Sequence, residues 1–568
     1  MVETTNVNNP AYGYTSQDYR QQSHKNDRGM EGHITMTSTR EDYQFIEGYA
    51  DQLSVEAGES IGLCVSTSAR RFSVEIARVG AERQVVWQKH HLPGKKYPVP
   101  DDASGYGCKW PVALGVPVGR DWRSGYYHVI LRAEGGVMGE ISFVVRSAQP
   151  GRDASILLQL TTNTDNAYNT WGGSSLYTPV ERPGIRVSFD RPFAGFRDPG
   201  QWLFRAKGDF QDDLDRRLVP ENLKQVFYEH VLPLSEFAFV EIERTGRFWY
   251  VFDAGALYGV SRTDKGLDVY DSFARWESCW HRWELPFVKW AEARDYSIDY
   301  AVNSDLEFHP EILDGYRLVL SVGHDEYWSA PMRDNLEAFA VSGGNLAFFS
   351  GNTMWWQVRS EANGRELVCY KSLYRKDPVY QSGDHHQLST LWCNRLIGRP
   401  ENRLTGVSFA YGGYHRFFDQ FQDGPDGYTI HRPDHWAFTG TGLKQDDLLG
   451  SQDMIVNYEC DGCELRYQRG MPFPTGRDGT PKSFEVLATA PAGLSEADDS
   501  LGMVNEAIHG NEAANQHHQP GAAVMGLHTL GGTVFTSGTT NWSHGLRGAD
   551  PRVERITSNI LDRLSMEK

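Results

Sequence analysis

The pattern of apolar and polar positions changes twice along the chain, and each change predicts a different kind of structure. Residues 1 to about 40 are rich in Asn, Ser, Thr and Gln and lack a periodic apolar pattern, which predicts a flexible polar arm. From 41 to 148 the pattern becomes short alternating runs. "QLSVEAGESIGLCVSTSARRFSVEIARVG" contains strand-like stretches broken at Gly and Ser, and "GYYHVILRAEGGVMGEISFVVR" reads as two strands around a Gly-Gly turn. Strands of this length and spacing predict an all-β sandwich, immunoglobulin-like in type. No nucleophile or ligand cluster stands out there, so the segment reads as a packing or interaction domain.

From 149 to 568 continuous apolar runs replace alternation. "ILLQL" (Ile156 to Leu160) and "YRLVLSVG" are strands of the kind buried on both faces of a parallel sheet. "LPFVKWAEARD" carries a helical stripe at Phe287, Trp290 and Ala291, and "YSIDYAV" returns as a strand. Met332, Leu336, Phe339 and Ala340 mark one helix face, "SGG" stops that helix, and "NLAFFSGN" is the next strand. Alternating strands and helices predict right-handed crossovers and a parallel α/β sheet. From about 400 onward strand-like runs dominate and either extend that sheet or cover one side of its cleft. "LSEADDSLGMVNEAIHGNEAANQHHQPG" reads as a loop or short helix.

Composition narrows the function classes. The net charge of -18, from 56 basic and 74 acidic residues, disfavours nucleic acid and anionic membrane as partners. The N-terminal stretch lacks the apolar segment of a signal peptide, and no run of about 18 apolar residues predicts a membrane span. Seven scattered cysteines suggest reduced thiols and a cytoplasmic location. The one close pair, Cys460 and Cys463 in "CDGC", is only half of a zinc motif.

Chemistry concentrates at strand ends, where open α/β sheets gather their ligands. "GHDEYW" (Gly323 to Trp328) ends a buried strand, with an amphipathic helix expected almost at once. A helix N-terminus there would favour an anion, and Asp325 or Ser329 would serve as its cap. Capping does not account for His324 and Glu326 beside Asp325. The stretch has no Cys or Ser nucleophile, so metal or acid–base chemistry fits better than an acyl-enzyme. "TTNTDNAYNTWGGSSLYTP" reads as a loop on the same rim, carrying Tyr168 and Tyr177, and "NYECDG" ends a further strand with Glu459.

"LDGYRLVLSVGHDEYWSAPMRDNLEAFAVSGGNLAFFSGNTMWWQVR", with "NAYNTWGGSSLY" and "NYECDG", resembles the C-terminal catalytic region of the N,N-dimethylformamidase large (beta) subunit family, over about residues 150 to 560. The resemblance implies a glutamine-amidotransferase-like α/β catalytic domain. It also implies a mononuclear iron, in the Fe(III) state, held by two tyrosines and a glutamate and used to hydrolyse a formamide to formate and an amine. Residue by residue, it puts the glutamate ligand on Glu326 and the tyrosine ligands on Tyr168 and Tyr177, with Tyr250, Tyr258 and Tyr327 as substitutes. It puts acid–base or substrate-orienting roles on His324, Asn352 and Glu459. Three departures stand out: a shorter loop between the tyrosines, a sandwich in place of a lectin-like N-terminal domain, and "HDE" at the His-Glu motif.

The expected activity is therefore an iron-dependent amidohydrolase acting on a small N-substituted amide, as a homo-oligomer or with a small accessory subunit. Two other readings remain open at this point. One is the same metal site turned to a lyase or biosynthetic reaction. The other is a noncatalytic carbohydrate- or partner-binding protein, which would use some of the 16 Trp and 27 Tyr as stacking platforms.

Overall fold

The computed structural model describes residues 45–177, 184–193, 258–263, 266–271, 279–417, 420–494, 500–510 and 521–566. The polar arm expected over residues 1 to 40 and Tyr250 lie outside these residues, and Tyr258 is described only as part of a backbone strand. The protein is mixed α/β with several sheets, and strands predominate.

The alternating N-terminal runs form two sheets that share one apolar core. The first has three strands, Ile46–Ala50, Ser60–Thr67 and Val112–Pro117. The second has five, with Arg71–Val79 between Gly125–Ala133 and Arg83–Pro93. Because side chains alternate along a strand, Phe72, Val74 and Ile76 point inward together and meet Ile61, Leu63, Val129 and Leu131. This body packs on the larger one through polar and apolar contacts: Arg78 pairs with Glu292 at 2.6 Å, Ser54 donates to Asp305, and Tyr126 stacks on Trp280.

The larger sheet has nine strands. Ile298–Val302, Ile156–Leu160, Leu318–His324, Asn345–Gly351 and Thr533–Thr536 are neighbours in that order and run parallel. Beyond them Ala522–Thr529, Glu485–Pro491, Tyr428–Ile430 and Leu448–Leu449 continue the sheet antiparallel. The expectation of a parallel sheet therefore holds for the half that follows the βαβ pattern. The C-terminal strands extend the sheet, Thr533–Thr536 as a parallel neighbour and the others as antiparallel ones.

Two local expectations change. The segment after "ILLQL" is a helix, Thr162–Tyr168, and not a loop. Its start is supplied from elsewhere in the chain: Glu284 accepts from the Thr161 N–H at 2.8 Å and Asn303 from the Asn163 N–H at 2.8 Å. Glu459 of "NYECDG" begins a strand, Glu459–Gly462, and does not end one. The helix expected almost at once after "GHDEYW" is Ala330–Val341, which follows the short strand Tyr327–Ser329 with Ser329 as its cap. Of the two candidate caps Ser329 thus serves and Asp325 does not. Among the described residues no helix is long and apolar enough to cross a membrane.

Candidate active site

The carboxyl ends of three adjacent parallel strands build the site. Leu318–His324 lies between Ile156–Leu160 and Asn345–Gly351, and all seven of its residues are buried. Gly323 makes the exit turn, with φ +84°. A Cβ there would lie 2.4 Å from Trp283 Cβ, so only glycine allows both the turn and the tryptophan wall.

The turn delivers Glu326 into a set of hydrogen-bond donors. Tyr168 donates to its Oε2 at 3.0 Å, and Tyr177 donates to Oε1 at 2.6 Å. Trp356 Nε1 also donates to Oε1, at 2.8 Å, while the Glu326 backbone N–H is held by Thr164 Oγ1 at 2.9 Å. The two phenol rings stack with centroids 4.4 Å apart. Beside them His324 Nε2 lies 2.8 Å from Glu459 Oε2 and 3.4 Å from Glu326 Oε2. Asn352 Nδ2 is 3.4 Å from the same nitrogen, and Tyr414 reaches Glu459 Oε1 at 3.4 Å. The structure thus brings Tyr168, Tyr177, His324, Glu326, Asn352 and Glu459 into one cluster, although 291 positions separate the first from the last.

These groups are deeply buried: His324 is 0% exposed, Glu326 1% and Glu459 3%. Burial, reinforced by the Glu326 charge, holds the Tyr177 phenol well above its usual range, so it stays protonated and donates. Tyr327 is pushed up by the same two causes, and its ring stands edge-on at 6.5 Å from both phenol rings, as a wall. Asp325 is buried behind the turn, accepting from Ser321 Oγ at 2.8 Å and Asn303 Nδ2 at 3.3 Å. Burial raises its pKa to about 6.

Three neighbours were given no role by the sequence: Trp356 follows Asn352 in "SGNTMWW", and Asp461 shares "NYECDG" with Glu459. Asp461, whose pKa burial raises to about 8, accepts from the backbone of the Asn352 turn. Lys371 sits in no motif at all. Its Nζ lies 3.1 Å from the centre of the Tyr177 ring, with Trp356 at 4.9 Å and Tyr327 at 5.3 Å. Burial brings its pKa down to about 8, against the pull of Glu326.

The donor set suits a hard cation. Two phenol oxygens and a carboxylate already lie within hydrogen-bond distance of one another, and the protons they share are what a trivalent ion would displace. Among the described residues no three His, Cys, Asp or Glu side chains are arranged to hold a metal. A metal here therefore depends on the phenols. Cys460 and Cys463 fall into separate apolar clusters and do not form a half-site. None of the described tryptophans is among the exposed large apolar side chains, whereas Tyr106 and Tyr467 are.

The family described as "N,N-dimethylformamidase beta subunit-like, C-terminal" matches residues 73–555, so the match reaches back into the two-sheet N-terminal body. The N,N-dimethylformamidase beta subunit of Paracoccus aminophilus is 25% identical over 298 residues, covering 49% of this chain and 36% of that protein. The corresponding subunit of Alcaligenes sp is 24% identical over 299 residues, covering 49% of this chain and 37% of its own length. The matched region is thus little more than a third of those relatives. Among solved structures, a superoxide reductase from Ignicoccus hospitalis overlays with a TM-score of 0.12 at 11% identity, covering 18% of this chain and 82% of the reductase. That likeness is too slight to carry an argument.

Proposed function

From a chain that belongs to the N,N-dimethylformamidase beta subunit-like, C-terminal family, we propose a hydrolase that cleaves the C–N bond of a small N-substituted amide or formamide. The observation that carries the reading is the convergence of Tyr168 and Tyr177 on Glu326, with the His324–Glu459 pair alongside. In this reading Tyr168, Tyr177 and Glu326 hold one iron ion, which when bound supplies Lewis-acid polarisation of the amide carbonyl and a nucleophile at neutral pH.

The protein's own groups supply the rest. Glu459 fixes the His324 imidazole and shares the proton at Nε2, which lies 3.4 Å from the Glu326 carboxylate. That proton is the one available to the leaving amine, which a bare amide cleavage would otherwise expel as an anion. Asn352 offers an N–H donor on the same side, suited to orienting the amide or its oxyanion. The aromatic surround of Tyr327, Trp355, Trp356 and Phe409 excludes water and strengthens each of these contacts.

The glutamine-amidotransferase-like character of the large sheet, the immunoglobulin-like character of the N-terminal body and a cytoplasmic location belong to the same proposal. So does a small accessory subunit, which the "beta subunit" names of the relatives support. Metal analysis and a visible spectrum of purified protein test the core of it, together with formate and amine release from a panel of formamides. Bound iron, a tyrosinate-to-iron band and equimolar acid and amine are expected. Full activity in a protein free of transition metal would refute the iron site, and turnover without release of an acid would favour the lyase reading.

A further inference from the structure

Asn352 approaches His324 from a turn that an ordinary chain does not adopt unaided. Its φ is +50°, and that of Met354 two residues on is +59°. Asparagine tolerates the left-handed region moderately and methionine poorly, so something outside the turn must hold it. Gly351 lets the chain enter against its neighbour: a Cβ there would lie 2.5 Å from the Thr540 nitrogen and 2.7 Å from the Glu459 carbonyl oxygen.

Asp461 is what meets the turn. Its Oδ1 accepts from the Asn352 N–H at 2.9 Å and its Oδ2 from the Thr353 N–H at 3.1 Å, and the side chain is 1% exposed. Asp461 and Glu459 belong to one strand, Glu459–Gly462, and alternation points both toward the same face. That single strand therefore carries one carboxylate to His324 and the next to the turn bearing Asn352. The Asp461 N–H is tied in turn to the Gly538 carbonyl at 3.0 Å. A second support runs beneath. Thr353 Oγ1 and Ser350 Oγ are 2.9 Å apart, Ser350 Oγ lies 3.3 Å from Ser321 Oγ, and Ser321 donates to Asp325. Buried hydroxyls thus join the Asn352 turn to the turn that carries Glu326.

We propose that Asp461 is a positioning residue: it locks residues 352–354 in their left-handed turn and acts on the reaction through Asn352. The inference rests on the reading of the site given above, but its structural half can be tested apart from that reading. Asp461→Asn keeps the volume and one acceptor oxygen while turning an N–H toward a backbone N–H. A crystal structure of this variant is expected to show Asn352 leaving positive φ and its amide withdrawn from His324 beyond the present 3.4 Å. An unchanged turn would overturn the proposal.

The catalytic half is read by a double-mutant cycle on the iron-loaded protein. D461N alone is expected to lower kcat about 10- to 100-fold with little change in KM or in the visible band. In an N352A background the same change should cost less than about twofold, because the group it positions is gone. An equal loss in both backgrounds would mean that Asp461 acts elsewhere, and would overturn the proposal. A fully active N352A would overturn the site reading and the catalytic half with it, whereas a displaced turn in the D461N structure would still uphold the positioning half.

Discussion

The N-terminal two-sheet core and the rim of the large sheet are buried to the same depth, yet they are held together by opposite means. In the N-terminal body Ile61, Leu63, Ile76, Val129 and Leu131 are all 0% exposed, and apolar burial stabilises the packing. At the rim His324, Asp325, Glu326, Asn352 and Asp461 are equally inaccessible, and each is ionisable or polar. Burial of such groups costs free energy that hydrogen bonds only partly return. The Glu326 carboxylate alone engages Tyr168, Tyr177 and Trp356 to offset it. The difference teaches that depth does not identify a functional site. A dense set of buried titratable groups, each satisfied by another from a distant part of the chain, does.

That contrast can be broken or sharpened by experiment. The largest effect should follow Glu326→Ala: turnover falls by more than about a thousandfold, and iron and the visible band are lost together. Iron retained at full stoichiometry in this variant would remove Glu326 from the ligand set. His324→Gln is expected to lower kcat about 10²- to 10⁴-fold while iron content stays unchanged, separating proton handling from metal holding.

Leu131→Ala in the N-terminal core should do the reverse. Chemical denaturation is expected to register about 2–5 kcal/mol of lost stability, with kcat per folded molecule preserved. A catalytic loss matching that of His324→Gln would show that the two regions are not separable.

A buried acid away from the site tests the cost of burial itself. Glu401 is 0% exposed, donates no charge to the chemistry, and bonds Ser408; burial raises its pKa to about 7. Its folded pKa lies above the unfolded one, so the folded state keeps a proton that the unfolded state has released. Stability should therefore fall as pH rises from about 4.5 to about 7 and level off above. Glu401→Gln should remove that slope, gaining up to about 3 kcal/mol at pH 8 relative to pH 4. Parallel denaturation curves for both proteins across this range would contradict it. The smallest effect is expected from Lys371→Met, which removes a cation from the face of Tyr177. The tyrosinate-to-iron band should move to longer wavelength, with kcat changed by about tenfold or less.

Much of this organisation was legible because it is local. The alternation in Arg71–Val79 and the continuous apolar run in Leu318–His324 each state which faces a strand buries. The His324–Glu326 motif stood out because polar residues ending an apolar strand have few structural uses. The helix Thr162–Tyr168 was not legible, because its causes lie far away in sequence: it is started by Glu284 and Asn303.

The sequence by itself determined the strands, the class of each half, the family, and six residues worth watching, since periodicity and motif are properties of neighbouring positions. Only the tertiary structure decided that two phenols from one segment meet a carboxylate from another, and that Asp325 is a support and not a cap. It alone placed Lys371 and Asp461 beside them. The physical reason is the same in each case. Hydrogen bonds and cation–ring contacts act over about 3–6 Å, and which side chains come that close is set by the order of strands in the sheet, which no local pattern records.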